Sequence, residues 1–600
     1  MASRTAMATG DLALAQPTLS SAFLAAASAS PSRVALSTFG SDRRLTLGDW
    51  VDESRAVAGG LSTLGVRQGD RVALLLGTRI EFQIADMGAL LLGAIPFSLY
   101  VTSPVSQLLE IVQNAEPRVL ITEAALADKA RRLAIAYPLI EHVVVIEDDA
   151  TAADELSLTA LTAACPQDFD VVASAQHASG GDLCTLVYTS GTTGSPKGVQ
   201  IRHRAVLACL DSIRQRFDTS ESDRALCYLP MAHIAERIFG HYAAFVYGYE
   251  VTCIPALPQL AEALQTVRPT RFFGVPRIYE KLLAGVHRAI VTSPDREQVR
   301  MALSRRLERI RAEQAGDPVP NDAADDADRA TLRPFAALTG LDRAHFVAVA
   351  GAPSSLDVLE EATALGIPVN EFYGSSEVSI VTCSPPDRIR LGTAGTPLSG
   401  VQLRLGHDGE VLITGPTVTS GYFRDPTRTA EVLEPDGWFH TGDIGEVGED
   451  GYVRIVDRKK ELIINSFGKN MSPANIEQAI KGGQPVIAHV FAFGDRRPYN
   501  VALVVLDRDA LVALVHGLGQ PTGEFADMAR RPEVLRVVAN AVDLGNTGLS
   551  RVEQIKRHRV LDHDWMPGTD ELTPTSKLKR RVIAAKYAAD IDALYAEATS

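Results

Sequence analysis

Between Thr46 and Thr122 short apolar runs alternate with helical segments, and this alternation restricts the chain to a parallel sheet covered on both faces. Arg71–Leu75, Pro96–Tyr100 and Arg118–Thr122 read as strands, Phe82–Leu92 and Ser106–Asn114 as helices. An earlier helix runs to Leu64, with Asp49 of Thr46-Leu47-Gly48-Asp49 expected as its N-cap. Met87–Val101 is the most apolar stretch. Pro96 breaks it and it is too short to span a bilayer, so it reads as a buried helix running into a strand. Six hundred residues exceed what one hydrophobic core supports, so at least two domains are expected.

Leu183–Val199, LCTLVYTSGTTGSPKGV, is the next strand and the loop after it. Gly191, Gly194 and Gly198 are expected to bend the backbone at positive φ and let a ligand approach closely. Ser190, Thr192, Thr193 and Ser195 add hydroxyl donors, and Lys197 adds a positive charge. Clustered donors of this kind suit a polyphosphate. The spacing is not that of a Walker A loop, because Lys197 follows Pro196 and precedes Gly198. Open α/β sheets bind ligands at the carboxyl ends of their strands, where this loop falls.

Further along, Phe346–Pro353 (FVAVAGAP) is a buried strand ending in Gly351, Ala352 and Pro353, small residues that leave room for a flat ring. Asn370–Glu377 (NEFYGSSE) is a strand running into a loop. There Tyr373 can stack on a base and Glu377 offers a hard oxygen ligand for Mg²⁺. In GWFHTGDI, Asp443 is expected as an acceptor on a tight turn after Gly442.

The loop string resembles the phosphate signature of the AMP-forming acyl-adenylating enzymes. The resemblance implies that Thr189, Ser190, Gly191, Thr192, Thr193, Gly194 and Lys197 hold the phosphates of ATP. It further implies that Gly351, Ala352, Pro353, Tyr373, Gly374, Ser375 and Ser376 hold the adenine, that Glu377 helps hold Mg²⁺, and that Asp443 binds the ribose. Arg458 is expected to reach the ribose or α-phosphate. Lys460 matches the family's hinge, Gly468 would let a thiol-bearing arm pass, and Lys577 matches the adenylation lysine. The family usually has Thr where this chain has Ser376, and many members have Gly where it has Ser576.

LPMAHIAER (229–237) and RFFGVPRIYEK (271–281) resemble segments of long-chain acyl-CoA synthetases. On that likeness His233 takes a substrate-side catalytic role. The helix Ile238–Tyr247 either lines an acyl tunnel or packs in the core. The charged insertion between Ile278 and Leu341 is expected to be helical, with a mobile loop at 317–328.

The motifs run in the family's order from about residue 18 to 585. They imply an α/β fold in which a large N-terminal domain of parallel sheets flanked by helices, with a smaller β-barrel-like part, joins a small mobile α+β domain. The expected units are a disordered leader at 1–17, an adenylating domain at 18–458 and a C-terminal domain at 459–600. The implied activity is that of a long-chain fatty-acid–CoA ligase. A fatty acid and ATP give an acyl-adenylate and pyrophosphate, and CoA then displaces AMP. The alternatives are an acyl-AMP ligase that loads a carrier protein and a non-catalytic acyl-binding protein on the same fold.

Net charge of −14 argues against a nucleic-acid binder. The six scattered cysteines lack metal-ligand spacing and read as buried hydrophobes of a reducing compartment. Met1–Gln16 lacks the sustained apolar run of a secretory signal. A cytoplasmic location follows as the expectation, with peripheral membrane contact for the acyl substrate and the oligomeric state left open.

Overall fold

The computed structural model describes residues 9–148, 155–189, 196–319, 322–466, 469–482, 484–566, 568–573 and 576–596. Two large sheets dominate. The first runs in the order Leu156–Ser157, His142–Val145, Val119–Thr122, Arg71–Leu75, Ile95–Ser98, Leu183–Thr189 and Lys197–Arg202. All its pairs are parallel except the last, where Leu183–Thr189 and Lys197–Arg202 form an antiparallel hairpin with Thr189 opposite Lys197. The strands are buried on both faces, as in-out alternation would not allow, because helices cover both sides. The second sheet has nine strands, and its central strand Arg271–Gly274 runs parallel to Phe346–Val349, which pairs in parallel with Val369–Ser375. The smaller β part is an open, antiparallel, four-stranded sheet from Gln402–Leu405 to Val453–Arg458.

The core between the two sheets is built on large rings. Trp50 is fully buried, with Phe23 at 4.8 Å and Phe245 at 5.8 Å between ring centroids. Burying one such side chain stabilises by about 1.5–3 kcal/mol. Beside the rings lies a polar knot without solvent contact: Asp86 accepts from Arg237 and from His241 Nε2 at 3.0 Å, and Arg237 donates to Ser98 at 2.8 Å. Pairing of this kind offsets the cost of burying the charges. Five of the six cysteines are buried and Cys165 is partly so; all six are free thiols.

Four expectations change. The leader is helical from Thr9 to Leu14: Ala13 is fully buried in the main core, and Thr9 donates to Glu221 at 2.6 Å. The N-cap of Leu47–Thr63 is Thr46, whose Oγ1 accepts from Asp49 N at 3.1 Å while Asp49 accepts from Thr46 N at 3.0 Å. Asp49 is the second half of that capping box. The insertion folds as helices Pro276–Thr292, Arg296–Ala315 and Ala323–Ala337, so the charged stretch after Asp322 is helix rather than loop. Asp322 caps the third helix, and the buried Asp325 draws in Arg306 at 2.5 Å and Arg329 at 2.7 Å. Finally, Gly198 is not at positive φ. It sits in a strand, where a Cβ would come within 2.9 Å of the Tyr188 ring.

Helix Ile234–Arg237 continues through a π-helical turn at Ile238–Tyr242 into Ala243–Tyr247, and the Ala243 and Ala244 side chains are fully buried. After residue 459 a separate hydrophobic cluster forms around Ile476, Ile487, Val504 and Val538. It joins the strands Ile487–Phe493, Asn500–Leu506 and Ile555–Val560 to the helices Pro473–Lys481 and Pro532–Thr547.

Candidate active site

The strand end at Tyr373 is shaped by Gly374. A Cβ there would fall 1.9 Å from the Ser379 carbonyl oxygen, because the chain doubles back at once into Ser379–Cys383, with Ser379 at φ 62°. Only glycine fits so close an approach. The hairpin presents Tyr373 and Glu377 to one side. Tyr373 donates its hydroxyl to Asp443 Oδ2 at 2.6 Å, and Arg458 Nε meets Asp443 Oδ1 at 2.7 Å.

Asp443 and Arg458 are direct cross-strand partners of Phe439–Val447 and Val453–Arg458. Asp443 therefore lies inside a strand and is nearly buried, not on an exposed turn. Gly442, at φ 72°, kinks the strand just before it. Burial raises the Asp443 carboxyl, while Arg458 and Tyr373 pull it back toward the charged form. Its partners, rather than water, favour the charged form.

Glu377 accepts from the Tyr422 hydroxyl at 3.1 Å, and Lys197 Nζ lies 4.7 Å above the Tyr422 ring. Tyr422 thus links the lysine of the glycine loop to the carboxylate of the hairpin. Cation–π attraction of this kind contributes about 0.5–2 kcal/mol, depending on desolvation. Sequence reasoning missed Tyr422, because a Gly-aromatic turn carries no chemistry-specific spacing. Phe423 N donates to Gly198 O at 2.7 Å and Gln200 N to Gly421 O at 3.1 Å, so the 421–423 turn is zipped onto the glycine-loop strand.

His233 caps the short helix Ile234–Arg237, its Nδ1 accepting from Ala235 N at 3.3 Å. Burial, with the Lys577 charge adding, pushes the imidazole down to about 4. It is therefore neutral at pH 7 with its proton on Nε2, a donor. Lys577, from the C-terminal region, comes within charge–charge reach of His233, Asp443, Glu377 and Arg458, and the space these side chains border is the candidate cleft. Water reaches its side chain, yet surrounding protein atoms hold its amine below the ordinary lysine range. Arg458 deepens that depression, and Asp443, Glu377 and Glu461 oppose it. A carboxylate pair, an arginine, a lysine and a neutral histidine thus meet around one cleft.

Residues 23–423 match the profile described as AMP-binding enzyme, and residues 460–599 that of an AMP-binding enzyme C-terminal domain. The chain belongs to the AMP-binding enzyme family. It is 43% identical over 449 residues to fadD11 of Mycobacterium tuberculosis, covering 74% of this chain and 78% of that one. Identity to the long-chain-fatty-acid–CoA ligase FadD15 of Mycobacterium bovis is 33% over 569 residues, covering 92% of this chain and 94% of that one. Among solved structures, the anthranilate CoA ligase AuaEII in complex with anthranoyl-AMP superposes with a TM-score of 0.73 at 20% identity, covering 97% of this chain and all of that one. That likeness is one of fold.

In this AMP-binding enzyme the remaining expected positions are spread around the cleft. Thr189 and Lys197 face each other at the base of the glycine loop, whereas Ser190, Gly191, Thr192, Thr193 and Gly194 lie outside the described residues, as does Gly468. Ser375 Oγ accepts from Glu377 N at 3.2 Å, and Ser376 is half-buried beside it. Gly351 (φ 90°), Ala352 and Pro353 form an exposed loop whose Pro353 carbonyl accepts from Gln478 Nε2 at 2.9 Å. Lys460 stands in an exposed turn two residues after Arg458.

Ser576 takes a backbone conformation that suits glycine. It adopts φ 61°, and its N–H donates to Thr573 O at 2.9 Å within a loop closed by Thr573 N to Lys577 O at 2.8 Å. A left-handed non-glycine residue costs about 1–2 kcal/mol, and glycine's extra freedom when unfolded returns part of that. Ser576→Gly is expected to stabilise the small domain by about 0.5–1 kcal/mol in a denaturant titration. Adenylation should stay within about twofold, since the left-handed turn that carries Lys577 is retained.

Proposed function

We propose that this enzyme is a long-chain fatty-acid–CoA ligase that works through an acyl-adenylate. The observation that carries the reading is the Lys577 amine, delivered from the C-terminal region into the cleft of Glu377, Asp443 and Arg458. The two family models, over residues 23–423 and 460–599, support it, because the lysine falls in the second and Glu377 in the first. The similarity to FadD15, named a long-chain-fatty-acid–CoA ligase, supports CoA as the thiol and a long chain as the acyl group.

A fatty-acid carboxylate is ionised at pH 7, so the first step calls for alignment and charge neutralisation rather than a general base. The carboxylate oxygen attacks the α-phosphorus of ATP and pyrophosphate leaves. Lys197 and Lys577 neutralise phosphate charge. Asp443 takes the ribose hydroxyls, with Arg458 next to it for the ribose or α-phosphate. Neutral His233 donates from Nε2 to the acyl oxygen. The Gly351–Pro353 loop and the Tyr373 ring flank the base.

Among the described residues no group of three or more His, Cys, Asp or Glu could hold a metal ion. One carboxylate with a free oxygen nevertheless fits Mg²⁺, which binds through one or two carboxylates plus substrate phosphates. Glu377 would hold it, and the ion would supply charge neutralisation on the polyphosphate.

Among the described residues no helix is long and apolar enough to cross a membrane. Pyrophosphate release across fatty acids from short to very long, with and without CoA, tests the reading. Release peaking with long acids and acyl-CoA as product is expected. Acyl-adenylate that is refused by CoA and accepted by a phosphopantetheine carrier would make the enzyme an acyl-AMP ligase.

The second half-reaction requires the thiol to reach the acyl carbon, and a lysine amine set at the α-phosphate for the first step would stand in that approach. The small domain must therefore turn about the 459–461 turn. Here Glu461 N donates to Arg458 O at 3.0 Å, and Lys460 is exposed. Lys460→Pro freezes φ at that point. It is expected to slow acyl transfer to CoA by about tenfold or more while adenylate formation persists, as with other hinge changes. Equal slowing of both steps would remove Lys460 from the hinge.

A further inference from the structure

The RFFGVPRIYEK segment has so far contributed nothing to the chemistry, although two of its charged residues face the small domain. Helix Pro276–Thr292 begins in this segment and presents Arg277 and Glu280 one turn apart. Arg277 donates to Asp507 at 2.5 Å and to Glu280 at 2.8 Å, and Lys481 donates to Glu280 at 2.8 Å. The four side chains are between 13% and 28% exposed and alternate in sign. Lys481 ends helix Pro473–Lys481, and Asp507 is the N-cap of Arg508–Gly517, its other oxygen accepting from Ala510 N at 3.0 Å.

Two contacts to two different elements fix an orientation; one contact would leave the small domain free to pivot. Gln478, on the same helix as Lys481, adds the bond to the Pro353 carbonyl. His489 fits the setting. Burial, with Lys481 and Arg277 adding, holds its imidazole down to about 4 and therefore neutral, so it brings no third positive charge to the ring.

We propose that Arg277, Glu280, Lys481 and Asp507 form an interdomain ion-pair latch, and that these positioning residues set Lys577 in the cleft for adenylation. The proposal rests on the two-step reading above. The latch is polar and only partly buried, so opening it exchanges ion pairs for hydration rather than exposing apolar surface. Such a contact biases the domain orientation without locking it, as a step that must reverse in each turnover requires.

The test measures the two half-reactions separately on the full-length protein. Pyrophosphate exchange into ATP with a long-chain fatty acid reports adenylation, and thioester formation from supplied acyl-adenylate and CoA reports transfer. Asp507→Asn keeps the helix cap and removes the charge. Glu280→Lys puts like charges beside both Arg277 and Lys481, Lys481→Glu puts like charges beside Glu280, and Lys481→Arg keeps the charge as the control. Contacting charges couple strongly enough that each charge-changing variant is expected to lower exchange about tenfold and leave transfer within about twofold or faster. Lys481→Arg should stay within about threefold of the parent.

Unchanged exchange in the folded Asp507→Asn variant, equal losses in both half-reactions, or a loss in Lys481→Arg as large as that in Lys481→Glu would each overturn the latch. A parent enzyme that exchanges pyrophosphate with no fatty acid would instead overturn the ligase reading itself.

Discussion

Lys577→Ala is expected to lower pyrophosphate exchange by about 10²–10³-fold, the usual effect of removing one charged group from a developing transition state. The reaction of supplied acyl-adenylate with CoA should remain largely intact, because the role proposed for the lysine is confined to the first step. The local fold should survive: the loop is closed by backbone bonds and by Thr573 Oγ1, which accepts from Lys577 N at 3.0 Å. A pH profile adds a second readout. Crowding in the cleft holds the amine below the ordinary lysine range, and its protonated form is the useful one. Adenylation should therefore be present below that lowered value and fade as pH rises through it. Lys577→Arg, which stays protonated, should move the alkaline limb upward. An alkaline limb unmoved by arginine, or equal losses in both half-reactions, would show that the amine does not act at phosphorus.

Glu377→Gln is expected to lower adenylation by about 10²-fold or more and to raise the Mg²⁺ concentration needed for half-maximal rate. Glutamine is the informative replacement, because its amide oxygen can still accept from Tyr422. The neighbouring bonds do not use the side chain at all: Glu377 O accepts from Thr419 N at 2.7 Å, and Glu377 N donates to Ser375 Oγ. Thermal stability should then stay close to that of the parent while the charge is gone. Tyr422→Phe is the control. It removes one hydrogen bond, worth about 1 kcal/mol, but keeps the ring beneath Lys197. An unaltered Mg²⁺ requirement in Glu377→Gln would assign the carboxylate to holding Tyr422 alone.

The sequence by itself determined the fold class, the family and the order of the motifs. Those readings rest on local facts that survive without coordinates: apolar runs of strand length, glycines at turns, and lysines rare enough to stand out. Gly374 shows the limit of this. Its presence in the string was visible, but the reason for it, a carbonyl 1.9 Å from where a Cβ would be, depends on a strand pairing five residues later.

Tertiary structure decided the rest, because it depends on residues far apart in the chain. Asp443 looked like a turn residue from its Gly neighbour, and became a nearly buried strand residue once Arg458 was registered opposite it. The first helix looked like a leader because its own apolar content is slight; its partner, Glu221, lies 212 residues away. Tyr422 carried no sequence signal, since its function is to join Lys197 to Glu377, two groups themselves 180 positions apart. Arg277 and Glu280 lie in a segment that the sequence marked only by its resemblance, and their packing against Lys481 and Asp507 gave them partners. Residue type and spacing reveal which chemistry a chain carries, whereas which charges meet, and at what depth, is set by the packing of one domain on another.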